Sequence, residues 1–152
     1  KAKPLIETIK SRTLEIKIIL KEKQRLEIIN KLVSSYKIDV ILDPKISQLS
    51  PGNFVKFNHI CKECDILSTN TFVENLSLLL NLYKKKKDIL LLNLAFYLAD
   101  QYIKNMKDKN LLKNDKIFEI KNYITDNLNN LILYNLNSNS LINALNDKLN
   151  NE

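Results

Sequence analysis

Three successive stretches between Ser50 and Tyr102 place apolar residues at intervals of three and four, and each opens with its own start signal. Ser50-Pro51 offers a hydroxyl N-cap and then proline at the first helical position, where a missing N–H costs nothing. Phe54, Phe57, Ile60, Cys61 and Cys64 follow as one face, with Lys56, His59, Lys62 and Glu63 mostly off it. The polar segment Asp65 to Asn70 breaks the pattern. Thr71-Phe72-Val73-Glu74 then reads as a capping box, and Phe72, Leu76, Leu79, Leu80 and Tyr83 form the next stripe, widened by Val73 and Leu82. That stripe ends in Lys84-Lys85-Lys86-Lys87, cations where a helix macrodipole is negative. Asp88 caps a third stretch, apolar nearly all round through Ile89, Leu91, Leu92, Leu94, Ala95, Tyr97, Leu98 and Tyr102. Such a helix belongs in the middle, with neighbours on both sides.

One Gly and three Pro in 152 residues leave little from which to build hairpin turns or a phosphate loop. With 45% hydrophobic residues the chain has enough apolar surface for one core. The expected fold is all-α: about seven helices in antiparallel hairpins, stacked as a small right-handed solenoid or superhelical bundle. It is read as a single domain over residues 1–152, with an N-terminal helical segment at 1–43 and a helical-repeat core at 49–149.

Pro4 to Tyr36 reads as a long helix or helix pair, marked by Leu5, Ile6, Ile9, Leu14, Ile18, Ile19, Leu26, Ile29, Leu32 and Val33. Lys21 to Gln24 is either a turn within it or an exposed helical segment, and Ile38 to Leu42 either one helical turn or an extended connector. A polar connector is expected over Lys104 to Asn114, anchored only by Met106 and Leu111-Leu112. Asn114-Asp115 then offers a cap for a helix burying Ile117, Phe118, Ile120, Tyr123, Ile124, Leu128, Leu131 and Ile132. Asn135 to Ser140 interrupts it. A last helix starts after Ser138 or Ser140 and buries Leu141, Ile142, Leu145 and Leu149, before an end at Asn150 to Glu152 that should fray.

The net charge of +7 and pI near 9.3 suit an anionic partner. The Lys, Asn and Ile excess of an AT-rich genome would give the same charge as a solvated surface, and only Arg12 and Arg25 are arginine. No apolar run reaches the roughly 18 residues of a membrane span, and no secretory signal is visible at the N-terminus. Two cysteines three apart form no disulfide framework, which points to a reducing compartment.

His59-Ile60-Cys61-Lys62-Glu63-Cys64 brings a CxxC beside a histidine, but zinc needs four converging ligands and no second cysteine pair exists. Packed thiols are the plainer reading, and no metal or cofactor is expected. His59 has no nucleophile and acid with which to build a triad, and Glu74 and Asp88 are explained as caps. The tyrosines Tyr83, Tyr97, Tyr102 and Tyr123 lie on apolar stripes and read as core, not as base-stacking platforms. With no catalytic constellation, the expectation is a protein that is not an enzyme. The candidate RNA-binding residues are the lysines Lys56, Lys62, Lys84, Lys85, Lys86, Lys87, Lys104, Lys107 and Lys109, in three groups. The Lys84–Lys87 end and the connector lysines, continuing to Lys113 and Lys116, fall at opposite ends of the third helix, so one continuous patch does not follow.

Superimposing the helices brings out either a weak internal repeat or a coincidence of amphipathic patterns. Phe54, Val55, Phe57 and Asn58 stand 37 residues before Leu91, Leu92, Leu94 and Ala95, and Leu92, Ala95 and Phe96 stand 49 before Leu141, Ala144 and Leu145. Leu49-Ser50-Pro51, then Phe54, Val55 and Phe57, then Thr71-Phe72-Val73, resembles the heptatricopeptide or octotricopeptide helical repeats associated with RAP domains, over about Leu49 to Leu149. The resemblance implies an RNA-binding protein of an organelle, or a component of a mitochondrial ribosome; no RAP domain itself is visible. A weaker likeness, through Asp88 to Asn105 and its closing Lys104-Asn105, is to superhelical adaptors of the VHS and polymerase-tail-binding type, which implies a protein-binding groove. Two functions therefore stand side by side: a scaffold contacting RNA phosphates in an organellar (mitochondrial) ribonucleoprotein or ribosome, or an adaptor for a peptide or partner helix in the organelle or cytoplasm. A third is a subunit of a large complex with no separable activity.

Overall fold

A computed structural model describes residues 19–67, 69–109 and 113–150. Among the described residues there are six helices and no strand: α1 (Glu22–Tyr36), α2 (Pro51–Glu63), α3 (Phe72–Lys86), α4 (Ile89–Asp108), α5 (Asn114–Tyr134) and α6 (Ser138–Asn150). The protein is all-α.

Three of the helices begin where local chemistry places them. Ser50 Oγ accepts from the Asn53 N–H at 3.4 Å, with Pro51 at the first position of α2. At α3 the capping box is closed both ways: Thr71 N–H donates to Glu74 Oε2 at 2.7 Å, and Glu74 N–H donates to Thr71 Oγ1 at 3.2 Å. Asp88 Oδ1 accepts from Leu90 N–H at 2.9 Å at the head of α4. The ends are less usual. Lys37, Lys87 and Asn135 take the left-handed conformation after α1, α3 and α5, with φ of 49°, 53° and 48°. Glycine commonly fills such positions; the one glycine here, Gly52, lies in the first turn of α2 instead.

The apolar faces then dictate the packing. α3 packs on α4, α4 on α5, α5 on α6 and α6 back on α3, so these four helices close a ring. Short turns make successive members antiparallel, the up-down-up-down order of a four-helix bundle. Leu79, Leu80, Leu92, Leu94, Ile120, Ile124, Leu128 and Leu145 fill its centre. α4 also meets α2 on its other side, and α2 carries α1. The helix that is apolar nearly all round is thus the one with most neighbours.

The polar seam between α1 and α2 is built from two side chains. Asn58 is buried on α2: its Oδ1 accepts from the backbone N–H of Ile41 at 2.7 Å and Leu42 at 2.9 Å, and its Nδ2 donates to Phe54 O at 2.8 Å. Ile38 to Leu42 is therefore a connector without helix or strand, held at its end by a side chain. Arg25, buried on α1, donates to Pro44 O at 2.7 Å and Leu49 O at 3.2 Å, and forks onto the Glu22 carboxylate.

Several boundaries and faces differ from the expectation. α4 continues past Tyr102 to Asp108, because Ile103 and Met106 keep the stripe half-buried while Lys104 and Lys107 face water. The polar connector is shorter by that stretch. α5 starts after Lys113, with no side-chain cap, and not after Asn114-Asp115. Phe118 is 64% exposed, Ile132 is exposed, and so are Ile19 and Ile89; none belongs to the core set assigned to it. Ile66, in the segment expected to be polar, is buried against the core. Among the described residues α2 makes no close backbone approach to α3, so those two do not pair as the repeat would have them. Expectations for Leu5, Ile6, Ile9, Leu14 and Ile18, for Leu111-Leu112 and for Asn151-Glu152 lie outside the described residues.

Candidate nucleic-acid interface

The lysines fall into three places. Lys84, Lys85, Lys86 and Lys87 close α3 and sit at one end of the ring, beside the α5–α6 turn. Lys104, Lys107 and Lys109 lie at the far end of α4. That helix has 20 residues, so the two groups are separated by about 30 Å. Lys56 and Lys62 stand on the outer face of α2. All nine side chains are exposed.

Their surroundings separate them further. Lys62 is paired with Asp39, and Lys86 with Glu63 at the end of α2. The hydrogen bond that Lys86 donates to Glu63, then the charge of that carboxylate, holds the Lys86 ammonium above its ordinary range. Lys87 turns back on its own helix: its N–H donates to Tyr83 O at 2.7 Å, its Nζ lies 5.3 Å from the centre of the Tyr83 ring, and the same Nζ donates to Asn135 Oδ1 at 3.4 Å. Lys56, Lys84, Lys85, Lys104, Lys107 and Lys109 have no ion pair among the described residues. Cations in the last turn of α3 also offset the negative end of its dipole.

Beside Lys84 and Lys87 lies a cleft of about 500 Å³ between α3 and the α5–α6 turn. Leu80, Tyr83 and Leu131 make its apolar wall, and Asn135, Asn137 and Ser138 its polar one. Ser138 is the first residue of α6; it is 7% exposed, and its Oγ is buried without a hydrogen-bond partner. Sequence reasoning took Ser138 only as a helix start and Tyr83 only as core. The one signal that could have joined them is that the Lys84–Lys87 turn and the Asn135–Asn137 turn close the same end of an antiparallel set.

Cys61 and Cys64 are buried free thiols; burial pushes the Cys61 thiol up to about 12, and burial raises Cys64 as well. His59 is exposed, and no three His, Cys, Asp or Glu side chains converge among the described residues. Tyr102 stacks on Phe72 with ring centres 4.6 Å apart, and Tyr97 tilts against Phe57 at 5.8 Å, both half-buried. Arg25 has its guanidinium turned inward on two backbone carbonyls and Glu22. Among the described residues no helix is long and apolar enough to cross a membrane.

Compared with known proteins, the chain matches no family model, no curated protein and no solved structure.

Proposed function

We propose that this protein is a non-enzymatic helical scaffold that contacts RNA phosphates through lysine, as a structural component of an organellar, mitochondrial ribonucleoprotein or ribosome. The reading is carried by Lys84 and Lys85, exposed and without an ion pair among the described residues at one end of the ring, with Lys87 anchored beside them. Lysines held in register by helix packing displace counterions from a phosphate backbone, a mechanism that needs no base-reading code. Lys104, Lys107 and Lys109 supply a second contact at the far end of α4, and Lys56 a third on α2. Lys62 and Lys86 take part less, because Asp39 and Glu63 already neutralise them. The organellar setting rests on the helical-repeat resemblance alone.

Superhelical stacking belongs to the same proposal. Phe54, Phe57 and Asn58 on α2 are buried like Leu91, Leu94 and Ala95 on α4, 37 residues later, which is the support for the repeat; Val55 is half-buried where Leu92 is buried, and α2 does not pair with α3 among the described residues. In that arrangement α1–α2 forms a further layer on the free face of α4.

The second reading, an adaptor for a partner helix or peptide, is favoured by exposed Phe118, Leu133, Tyr134 and Leu136 on α5 and just past it. Charge reversal separates the two. Lys84→Glu with Lys85→Glu should weaken binding of single-stranded RNA at least tenfold, and Phe118→Ser with Leu133→Ser should not. RNA affinity that both double variants leave unchanged, or no RNA affinity in the parent, overturns the proposal in favour of the adaptor.

A further inference from the structure

We infer that the end of the ring formed by the α3–α4 and α5–α6 turns docks on an anionic membrane surface. Leu133, Tyr134 and Leu136 enter the headgroup layer, and Lys84 and Lys85 meet its negative headgroups. This goes beyond the RNA reading and does not rest on it.

The two turns lie side by side. Lys87 Nζ donates to Asn135 Oδ1 at 3.4 Å, and Lys84, Lys87 and Leu136 border one cleft. From Asn127 to Asn146 the sequence carries no charged side chain. Within that stretch Leu133 is 73% exposed, Tyr134 70% and Leu136 48%. Ile89, the first residue of α4, is 61% exposed at the same end. α5 packs on α4 and runs antiparallel to it, so the last turn of α5 stands at the end where α4 begins. Apolar residues scattered singly over a surface need no partner; four in two adjoining turns, rimmed by lysine, mark a contact surface.

Three features choose the occupant. Side chains more than two-thirds exposed at a helix end project outward, so the tip is convex. A convex tip enters a deformable interface, whereas a partner helix calls for a groove to lie in. A second copy joined through the same tip would bring Lys84 and Lys85 against their own equivalents, like charge on like. A membrane interface suits every part of the tip: aliphatic side chains that enter it, a tyrosine with an apolar ring and a polar hydroxyl, and lysines whose long stems carry the ammonium to anionic headgroups. The acids nearby do not cancel those lysines. Asp88 caps α4 through the Leu90 N–H, and Glu63 is held by Lys86. Asp65 borders a cleft with Lys85, yet no ion pair joins them. Among the described residues no helix is long and apolar enough to cross, so the contact is with the surface.

The test is sedimentation of the full chain with vesicles of phosphatidylcholine alone and with phosphatidylserine added. The chain holds no tryptophan, so Leu133→Trp puts a single reporter at the tip. Binding to the anionic vesicles, with a blue shift of that tryptophan and quenching by brominated acyl chains, supports the inference. Leu133→Ser with Tyr134→Ser, both at exposed positions, should weaken vesicle binding about tenfold or more. Lys84→Gln should weaken it about fivefold. No sedimentation with anionic vesicles overturns the inference. So does binding without shift or quenching, which leaves the tip in water, and so does equal binding by the serine variant. A chain that ignores vesicles but doubles in mass, and returns to a monomer in the serine variant, gives the tip to a second copy and overturns the membrane.

Discussion

The side-chain oxygen of Asn58 lies 2.7 Å from the amide nitrogen of Ile41, across 17 residues of chain. The same oxygen takes the Leu42 amide, so one helical side chain satisfies two successive donors of a connector that belongs to neither helix nor strand. Asn58→Ala removes three hydrogen bonds and strands two part-buried amides, and should cost about 2–4 kcal/mol in urea unfolding. A loss well under 1 kcal/mol would mean that the connector is held by its apolar residues alone.

Arg25 is the other half of that seam. Its guanidinium spans Glu22, Pro44 O and Leu49 O, a planar fork that Lys cannot reproduce. Arg25→Lys should destabilise by about 1–3 kcal/mol and leave RNA affinity unchanged. Reduced RNA affinity in a variant that remains folded would return Arg25 to the binding surface.

Acid should act on the head of α3. The backbone hydrogen bond from Thr71, then its hydroxyl, holds the Glu74 carboxyl below its ordinary 4.5. A lowered folded value means that the folded state binds fewer protons than the unfolded chain, so this contribution is present above about 4.5 and is lost as pH falls through the folded value. Glu74→Gln should therefore lower the melting midpoint at pH 7, and the gap to the parent should close toward pH 3. A gap that is constant with pH would show that the box acts through geometry and not through charge.

The thiols give a check on the packing of α2. With Cys61 pushed up to about 12 by burial, iodoacetamide at pH 8 should modify the folded protein far more slowly than the urea-unfolded chain. Mass spectrometry follows both cysteines separately. Fast modification of Cys61 in the folded state would contradict its place in the core.

Local signals made the helices legible, and distant partners did not. Ser50-Pro51, Thr71 with Glu74, and Asp88 each announce a helix within four residues, and each stands where those signals put it. The end of α4 was obscured because Lys104, Lys107 and Asp108 look like connector, while Ile103 and Met106 alone continue the buried stripe. Phe118 fits the α5 periodicity as well as Ile117, but the neighbouring helices cover only one side. Asn58 reads as an ordinary polar residue until the Ile41 and Leu42 amides are seen, and Ser138 as a cap until the α3 lysines come round to it. The lysines were visible as a list; which of them are already neutralised by Asp39 and Glu63 depended on contacts 23 residues apart.

The most direct test of phosphate contact is the salt dependence of RNA affinity. For single strands, log K should fall linearly with log salt, with a slope of about −0.7 for each phosphate neutralised. Lys84, Lys85 and Lys87 together contribute about −2 to that slope, and Lys84→Glu with Lys85→Glu should make it shallower by about 1.4 or more by the same relation. An affinity that does not change between low and high salt, or a slope that the double variant leaves intact, would contradict the account.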